Sequence, residues 1–122
     1  MCIRDSFVAI STSIALKATP QLAGYAATKA AVLSFVKSMA ADLRGTGITA
    51  NVIQPGSTDT DLLAHSAAVY GLDDPTEFAQ HHLNERLLQP AEIAAGVAWL
   101  CSPAAAAITG IALPVDGGMT AT

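Results

Sequence analysis

A tyrosine and a lysine stand four residues apart in an otherwise apolar part of the sequence. Tyr25 and Lys29 lie in the stretch GYAATKAA, residues 24–31. If that stretch is helical, the two side chains share one face, one turn apart. An ammonium group close to a phenol favours the phenolate and lowers the pKa of the phenol, which could then exchange a proton near neutral pH. The spacing predicts a general acid/base, although a helical tyrosine and lysine with no joint role would show the same spacing.

Hydroxyl side chains precede this pair in the chain. Thr12 ends the apolar run that begins at FVAIS, with Ser11 and Ser13 on either side. A hydroxyl there could hydrogen-bond a substrate oxygen that also faces the tyrosine, or the loop could simply satisfy its own backbone. The next apolar run, NVIQPG, ends with Pro55 and Gly56. Because ligands of open α/β sheets lie at the carboxyl ends of the strands, both loops are candidates for a binding site.

Alternating strands and helices would carry these residues. Short apolar runs suit buried parallel strands, and longer periodic stretches suit helices. Strands are predicted at Phe7–Ser11, at Ile48–Ile53 and within ITGIALPVDGG; helices are predicted at Tyr25–Leu43, at about Pro90–Cys101 and as shorter pieces between Thr58 and Leu88. This order is typical of βαβ crossovers and predicts an α/β fold with a parallel sheet.

The long helix and the segment after the second strand have their own patterns. Apolar residues of the helix recur at helical spacing and mark the face expected to meet the core; they are Ala27, Ala31, Phe35, Met39 and Leu43. In the later segment, DLLAHSAAVYG and PTEFAQHHLNERLL are the two candidates for helix.

The composition is apolar and slightly acidic. The 122 residues are 52% hydrophobic and 13% charged, with a net charge of −4, and the length predicts one domain. The sequence has no basic cluster, which argues against nucleic acid or an anionic membrane surface as a partner. A chain this apolar has too little polar surface to coat a small monomer, so we expect it to bury surface against further protein.

Neither a membrane segment nor a disulfide framework is expected. The uncharged stretch Ile93–Val115 is interrupted by two prolines and a glycine, which favours a buried helix, a turn and a buried strand over a membrane span. Cys2 and Cys101 form no metal-ligand pattern. Their number and spacing predict a reducing, cytoplasmic location.

Six motifs in a fixed order resemble the short-chain dehydrogenase/reductase family. They are ISTS, P-x-x-x-x-Y-x-x-x-K-A-A, D-L-R-x-x-G-I-x-x-N-x-I-x-P-G, P-x-E-I-A, TG and VDGG, and they extend from Phe7 to about Met119. The resemblance implies the C-terminal portion of a Rossmann-type, doubly wound parallel sheet. It also implies an oxidoreductase that uses NAD or NADP to interconvert an alcohol and a ketone or aldehyde.

The resemblance assigns a role to each residue of the acid/base site. Tyr25 is expected to be the general acid/base, and Lys29 to lower its pKa and bind the ribose hydroxyls of the nicotinamide nucleotide. Thr12 is expected to orient the substrate oxygen. Serine is the usual residue there, so this threonine is a departure, and one of the flanking serines could replace it after a shift of the loop. Ala15, where glycine is common, is a second departure.

The resemblance also implies contacts with the cofactor. Pro55 and Gly56 would lie beside the nicotinamide. The backbone of Thr58 would meet the carboxamide, and Thr60 would reach the diphosphate. Asn51 corresponds to a structural asparagine of the family, and the VDGG motif is expected to be more structural than catalytic. No metal is expected.

Residues 58–88 correspond to the substrate-binding lid of the family. The apolar side chains of this segment favour a hydrophobic secondary alcohol or ketone as the substrate; they are Leu62, Leu63, Ala67, Ala68, Val69, Tyr70, Phe78 and Leu83. His65, His81 and His82 also lie there. We expect these histidines to be solvated or packed within the lid.

The N-terminal half of the family's fold has no counterpart in this sequence. No glycine-rich loop follows a first strand, so the backbone that cradles phosphates is missing. The chain is therefore expected to be the C-terminal half of one Rossmann-type domain, residues 7–122, behind a non-native leader, residues 1–6. By itself such a fragment is expected to be inactive.

Two other functions remain open. A catalytically inactive scaffold or binding protein would accommodate both the threonine at position 12 and the missing half. An epimerase or dehydratase could share Y-x-x-x-K, although the VDGG ending favours the simple dehydrogenases. The family resemblance further implies a homotetramer that packs through the helix Tyr25–Leu43 and the last strand.

Overall fold

The computed structural model describes residues 5–122. Positions 1–4 of the predicted leader lie outside this range, and the first strand begins at Ser6. The main elements in chain order are β1 (Ser6–Ile10), α1 (Ala23–Asp42), β2 (Thr49–Pro55), α2 (Asp61–Val69), α3 (Pro90–Leu100) and β3 (Ala112–Val115). Short 3₁₀ helices lie at Ser13–Ala15, Pro75–His81, Pro103–Ala105 and Met119–Ala121.

The three strands form one parallel sheet in the order β1-β2-β3. Ile10 of β1 is paired with Ile53, and Pro55 of β2 is paired with Val115. The carboxyl ends of β1 and β2 therefore meet at one edge of the sheet. Because β2 has a neighbour on each side, it is buried along its whole length except at Pro55.

Helices cover both faces of the sheet. On one face, Val36 of α1 is fully buried against Ala50 and Val52 of β2. On the other face, α3 approaches closely through Gly96, where an added Cβ would lie 3.3 Å from side-chain atoms of Ile53 and Val115. Successive residues of a strand point to opposite faces, so β2 serves both layers. The predicted α/β architecture with a parallel sheet is confirmed.

The buried face of α1 differs in part from the prediction. The side chain of Phe35 is 61% exposed, and Ala27 and Ala31 are also exposed. The predicted Met39 and Leu43 do pack against the core and are partly buried. Val36 is fully buried there, with Val32, Leu33 and Ala40 partly buried around it. Apolar residues occur on several sides of this helix, so spacing alone could not tell which side meets the sheet.

The segment between β2 and α3 is only partly helical. The first predicted piece is confirmed as α2, but the second is reduced to a 3₁₀ helix that ends at His81. The chain then turns at Glu85, whose φ of 53° is left-handed. Leu88 forms a parallel bridge with Thr58. A continuous helix to Leu88 would not return the chain to Thr58, so the tertiary pairing overrides local helical preference.

Within residues 5–122, no helix is both long enough and apolar enough to cross a membrane. Cys101 is a free and exposed thiol at the end of α3.

Candidate active site at the carboxyl ends of β1 and β2

Three consecutive hydroxyl residues leave the end of β1, and they are all buried. The Ser11 hydroxyl donates to the carbonyl of Lys29 at 2.9 Å. The Ser13 hydroxyl lies 3.2 Å from the carbonyl of Gln54 and 3.3 Å from a carboxylate oxygen of Asp116. Thr12 differs, because its hydroxyl oxygen accepts from the amide of Ile14 at 3.3 Å. Among these three, the Thr12 hydroxyl keeps its proton for another acceptor.

Lys29 and Tyr25 lie beside the same strand end. The ammonium nitrogen of Lys29 is 3.3 Å from the carbonyl oxygen of Ile10 and 5.9 Å from the centroid of the Tyr25 ring. The tyrosine side chain is 42% exposed. An ammonium group within about 6 Å of an aromatic ring is attracted to it. The predicted pair therefore shares one face of α1.

The turn after β2 is tightly packed. Its first amide, at Gly56, donates to the carbonyl of Val115 at 3.0 Å. A Cβ at Gly56 would lie 2.8 Å from both the Asp116 Cα and the His82 Nε2. Such distances are too short for any side chain, so glycine is required where the turn passes β3 and the imidazole.

Thr58 and Thr60 follow this turn and use their hydroxyls locally. The Thr58 hydroxyl donates to the carbonyl of Gly56 at 3.0 Å. The Thr60 hydroxyl caps α2 by accepting from the amide of Leu63 at 3.2 Å. Within residues 5–122, the backbone N–H of Thr58 makes no hydrogen bond. The backbone of Thr58 and the N-terminus of α2 are thus the parts of this segment that can bind an acceptor.

Asn51 has the structural role expected of it. Its buried side chain donates to the carbonyl of Ile108 at 2.9 Å and accepts from the amide of Ile111 at 3.2 Å. These bonds attach the segment before β3 to the middle of β2.

His82 is a residue whose role the sequence did not reveal. The ring is 2% exposed, whereas His65 and His81 are exposed. Its Nε2 accepts from the amide of Ser57 at 3.0 Å, and its Nδ1 lies 2.7 Å from the carbonyl oxygen of Arg86. The sequence around the three histidines gave no local signal that one of them was buried.

Asp116 anchors the loop after β1 from the far end of the chain. Its carboxylate accepts from Ser13, from the amide of Gly118 and from both the amide and the hydroxyl of Thr120. Burial by itself raises the pKa of the Asp116 carboxyl, but these hydrogen bonds outweigh it, so the pKa lies below its ordinary value. The carboxylate is therefore ionised at neutral pH and holds the loop in place.

Gln54 is a second buried polar residue that the sequence did not reveal. Its amide nitrogen is 3.5 Å from the carbonyl oxygen of Thr12. Within the described range, its Oε1 is buried and has no hydrogen-bond partner. Gln54 thus connects the end of β2 with the loop after β1, and one acceptor stays unsatisfied at this junction.

Arg86 and Glu92 connect the segment after His82 to α3. The guanidinium donates two hydrogen bonds, at 2.8 and 2.6 Å, to the two carboxylate oxygens. The hydrogen bonds from Arg86 and from the amide of Gln89 lower the pKa of the Glu92 carboxyl to about 2. This is a capping box at the start of α3 combined with a bidentate ion pair.

The donor set at this edge suits a nicotinamide nucleotide. Lys29 contributes an ammonium, Tyr25 a phenol and Thr58 a backbone N–H, and these match ribose hydroxyls and a carboxamide. No group of histidine, cysteine and carboxylate side chains within residues 5–122 could hold a metal ion. An open parallel α/β sheet with donors at its carboxyl edge defines a ligand-binding protein of the Rossmann type.

Comparison with known proteins agrees with this class. The sequence profile described as enoyl-(acyl carrier protein) reductase matches residues 2–120. The chain belongs to the short-chain dehydrogenase/reductase family, and it aligns with the C-terminal part of its relatives.

Two relatives illustrate the extent of the match. The chain is 44% identical over 97 residues to the 3-oxoacyl-[acyl-carrier-protein] reductase FabG of Vibrio cholerae, covering 80% of this chain and 38% of that protein. It is 38% identical over 117 residues to the A-factor type gamma-butyrolactone 1'-reductase (1S-forming) of Streptomyces virginiae, covering 94% of this chain and 44% of that one. The chain therefore spans less than half the length of these relatives.

Solved structures show the same fold. A 3-ketoacyl-(acyl-carrier-protein) reductase from Brucella melitensis, complexed with NADH, matches with a TM-score of 0.82 and 32% identity, over 96% of this chain and 45% of that one. A variant of actinorhodin polyketide ketoreductase with NADPH matches with a TM-score of 0.87 and 29% identity, over 98% of this chain and 48% of that one. These neighbours are Rossmann-fold proteins, and the predicted fold class and family are confirmed.

Proposed function

We propose that this chain carries the proton-transfer half of an NAD(P)-dependent oxidoreductase site that interconverts an alcohol and a ketone or aldehyde. The observation that supports this most is that the Lys29 ammonium lies between the end of β1, which Thr12 follows closely, and the ring of Tyr25. Two structural neighbours were solved with NADH or NADPH, which supports a nicotinamide cofactor. When bound, that cofactor accepts or supplies the hydride.

The chain's own residues would move and orient the proton. In alcohol oxidation, the Tyr25 phenolate takes the hydroxyl proton of the substrate as the carbinol carbon loses its hydride. Lys29 favours the negative phenolate by Coulomb attraction. The Thr12 hydroxyl keeps its proton, donates a hydrogen bond to the substrate oxygen and holds that oxygen towards the tyrosine. In the reductive direction each transfer is reversed.

Cofactor contacts would come from the turn after β2. Pro55 and Gly56 would lie beside the nicotinamide, the Thr58 amide would donate to the carboxamide, and Thr60 would meet the diphosphate at the start of α2. The part of the relatives beyond this chain would supply the rest of the nucleotide site. We therefore expect activity only in the complete polypeptide, and the fragment by itself to be inactive.

Substitution of Tyr25 by phenylalanine in the complete protein tests the proposal. Loss of the phenolic proton is expected to lower kcat by about 10²–10⁴-fold and to leave the Kd for NADH or NADPH and the melting temperature nearly unchanged. Steady-state kinetics and quenching of nicotinamide fluorescence measure the two effects. A kcat close to that of the parent protein would remove Tyr25 from its role.

Substitutions at two lysines of α1 test the proposed role of the Lys29 ammonium. Lys29→Met is expected to weaken both turnover and cofactor binding, because the ammonium acts on the phenol and on the ribose. Lys37→Met removes an exposed ammonium two turns further along the same helix. Equal effects of the two substitutions would show that the general charge of the helix, and not its position, is what matters.

The same measurements separate the other functions. A scaffold that has lost the chemistry would quench no nicotinamide fluorescence. An epimerase would bind the cofactor and return it unchanged, so no net NAD(P)H would appear. A dehydrogenase changes nicotinamide absorbance in proportion to substrate consumed.

The substrate class and the assembly are further parts of the proposal. Exposed apolar side chains of residues 58–88, such as Leu62 at 70% and Val69 at 74%, favour a hydrophobic secondary alcohol or ketone. We expect the complete protein to be a cytoplasmic homotetramer. Its subunits would pack through β3 and through the face of α1 that carries the exposed Phe35. Kinetics with ketones of increasing chain length and sedimentation of the complete protein test these two points.

A further inference from the structure

The buried imidazole of His82 connects two segments that are otherwise separate. Its Nε2 is 3.0 Å from the amide nitrogen of Ser57, in the turn after β2. Its Nδ1 is 2.7 Å from the carbonyl oxygen of Arg86, at the end of the irregular segment. With only 2% of the residue exposed, water does not compete for these contacts.

The two contacts determine which nitrogen of the imidazole carries the hydrogen. A backbone amide can only donate, so the Nε2 that faces Ser57 must be unprotonated. A carbonyl oxygen can only accept, so the Nδ1 that faces Arg86 carries the hydrogen. His82 is therefore a neutral imidazole in the Nδ1–H form, and each nitrogen has a different structural task.

The Ser57 contact decides which amide of the turn remains available. Of the four successive amides from 56 to 59, Gly56 donates to Val115, Ser57 to His82 and Asp59 to Leu88. Within residues 5–122, the Thr58 amide has no acceptor. By binding the Ser57 amide inside the protein, the imidazole fixes the peptide planes so that the next amide is the free one.

The packing leaves the turn little freedom to adjust. A Cβ at Gly56 would lie 2.8 Å from the His82 Nε2, so the backbone of the turn lies directly against the ring. The same position is also 2.8 Å from the Asp116 Cα, so backbone as well as the ring limits the space at this turn.

We infer that His82 is a positioning residue, which sets the turn of Pro55, Gly56 and Ser57 so that the Thr58 amide can bind a nicotinamide carboxamide. The inference rests on the proposed function, because it needs a nicotinamide at that turn. It goes beyond that function by assigning cofactor affinity to a residue of the adjacent segment that need not touch the cofactor.

Two substitutions of His82 separate the two nitrogens. Glutamine has a side-chain oxygen that can replace the Nε2 acceptor, while asparagine has an amide that can replace the Nδ1 donor. His82→Gln therefore keeps the contact with Ser57, and His82→Asn keeps the contact with Arg86. The adjacent exposed residue offers matched controls, His81→Gln and His81→Asn.

The test measures amide hydrogen exchange at Ser57 and the Kd for NADH and NADPH, both on the complete protein. His82→Asn is expected to speed exchange at Ser57 and to raise the Kd, each by about three- to tenfold, which is the equilibrium effect of one lost hydrogen bond. His82→Gln is expected to stay within about twofold on both measures. The kcat at saturating cofactor is expected to change little in either variant.

The outcomes distinguish this inference from the proposed function. If the parent protein binds neither NADH nor NADPH, the proposed function and the inference both fail. If it binds the cofactor but His82→Asn and His82→Gln behave alike, the inference alone fails. Should His82→Asn not fold, His82→Gln decides: retained Ser57 protection and affinity support the positioning role, and loss of either overturns it.

Discussion

The loops that leave β1 and β2 lie at the same edge of the sheet but are held in different ways. Side-chain hydroxyls hold the β1 loop, through Ser11 to the Lys29 carbonyl and through Ser13 to Asp116. The β2 turn is held through its backbone, by Val115 and by His82. Among the contacts of residues 5–122, the first loop keeps a side-chain donor free, at Thr12, and the second keeps a backbone N–H free, at Thr58.

This difference predicts where substitutions act. A free side-chain donor can be removed by substituting the residue itself. A free backbone donor cannot be removed in that way, so the β2 turn is sensitive through the residues that hold it and through Gly56, where no side chain fits. Substitutions at the β1 loop should therefore separate turnover from stability, whereas those behind the β2 turn should change affinity and stability.

After Tyr25→Phe, the largest effect is expected from Thr12→Val in the complete protein, which removes the hydroxyl and keeps the side-chain shape. If the hydroxyl orients the substrate oxygen, kcat falls by about 10²-fold. Thr12→Ser keeps the hydroxyl and should stay within a few-fold of the parent protein. Steady-state kinetics test this pair, and equal turnover of the valine and serine variants would exclude the role.

Asp116→Asn breaks the anchor of the β1 loop. The new amide NH2 faces a donor in either orientation, the Gly118 amide or the Thr120 amide, so we expect a loss of about 1–3 kcal/mol of unfolding free energy. Urea denaturation measures it, with the exposed Asp73→Asn as a control. Similar stabilities of the two variants would contradict the anchoring role.

Glu92→Gln weakens the support behind the β2 turn, and its effect depends on pH. The folded pKa of about 2 lies below the ordinary 4.5, so the ion pair stabilises the fold fully above about pH 4.5 and loses this contribution as the pH falls towards 2. As the pH is lowered through this range, the melting temperature of the parent protein should therefore fall more steeply than that of the variant. If scanning calorimetry showed the two melting temperatures falling equally as the pH is lowered, the ion pair would add no stability.

The smallest effect is a gain in stability from Glu85→Gly. Glu85 has a φ of 53°, and glycine adopts that conformation without strain. After the greater freedom of glycine in the unfolded state is subtracted, we expect about 0.5–1 kcal/mol of stabilisation. Gln21 has a φ of 65°, so Gln21→Gly should stabilise the fold in the same way. The same change at the exposed Gln80 should destabilise, and thermal unfolding distinguishes the three.

The pairing of Tyr25 with Lys29 could be predicted from the sequence because it depends on local geometry. Two residues four apart in a helix share a face whatever surrounds them, so Tyr25 and Lys29 were placed correctly relative to each other. The parallel sheet was predictable for a similar reason, since short apolar runs separated by helical stretches leave few alternatives. The family motifs added the roles of these residues, and those roles remain predictions.

The tertiary structure alone decided which side chains meet across the chain. The packing of α1 against β2 determined which face of the helix is buried, so Phe35 is exposed and Val36 is buried. His82 reaches Ser57 across 25 positions and Asp116 reaches Ser13 across 103. A sequence pattern reports periods within one element, whereas such contacts depend on how several elements pack. For that reason the pairing of Tyr25 with Lys29 could be recognised from the sequence, but the residues that hold its surroundings in place could not.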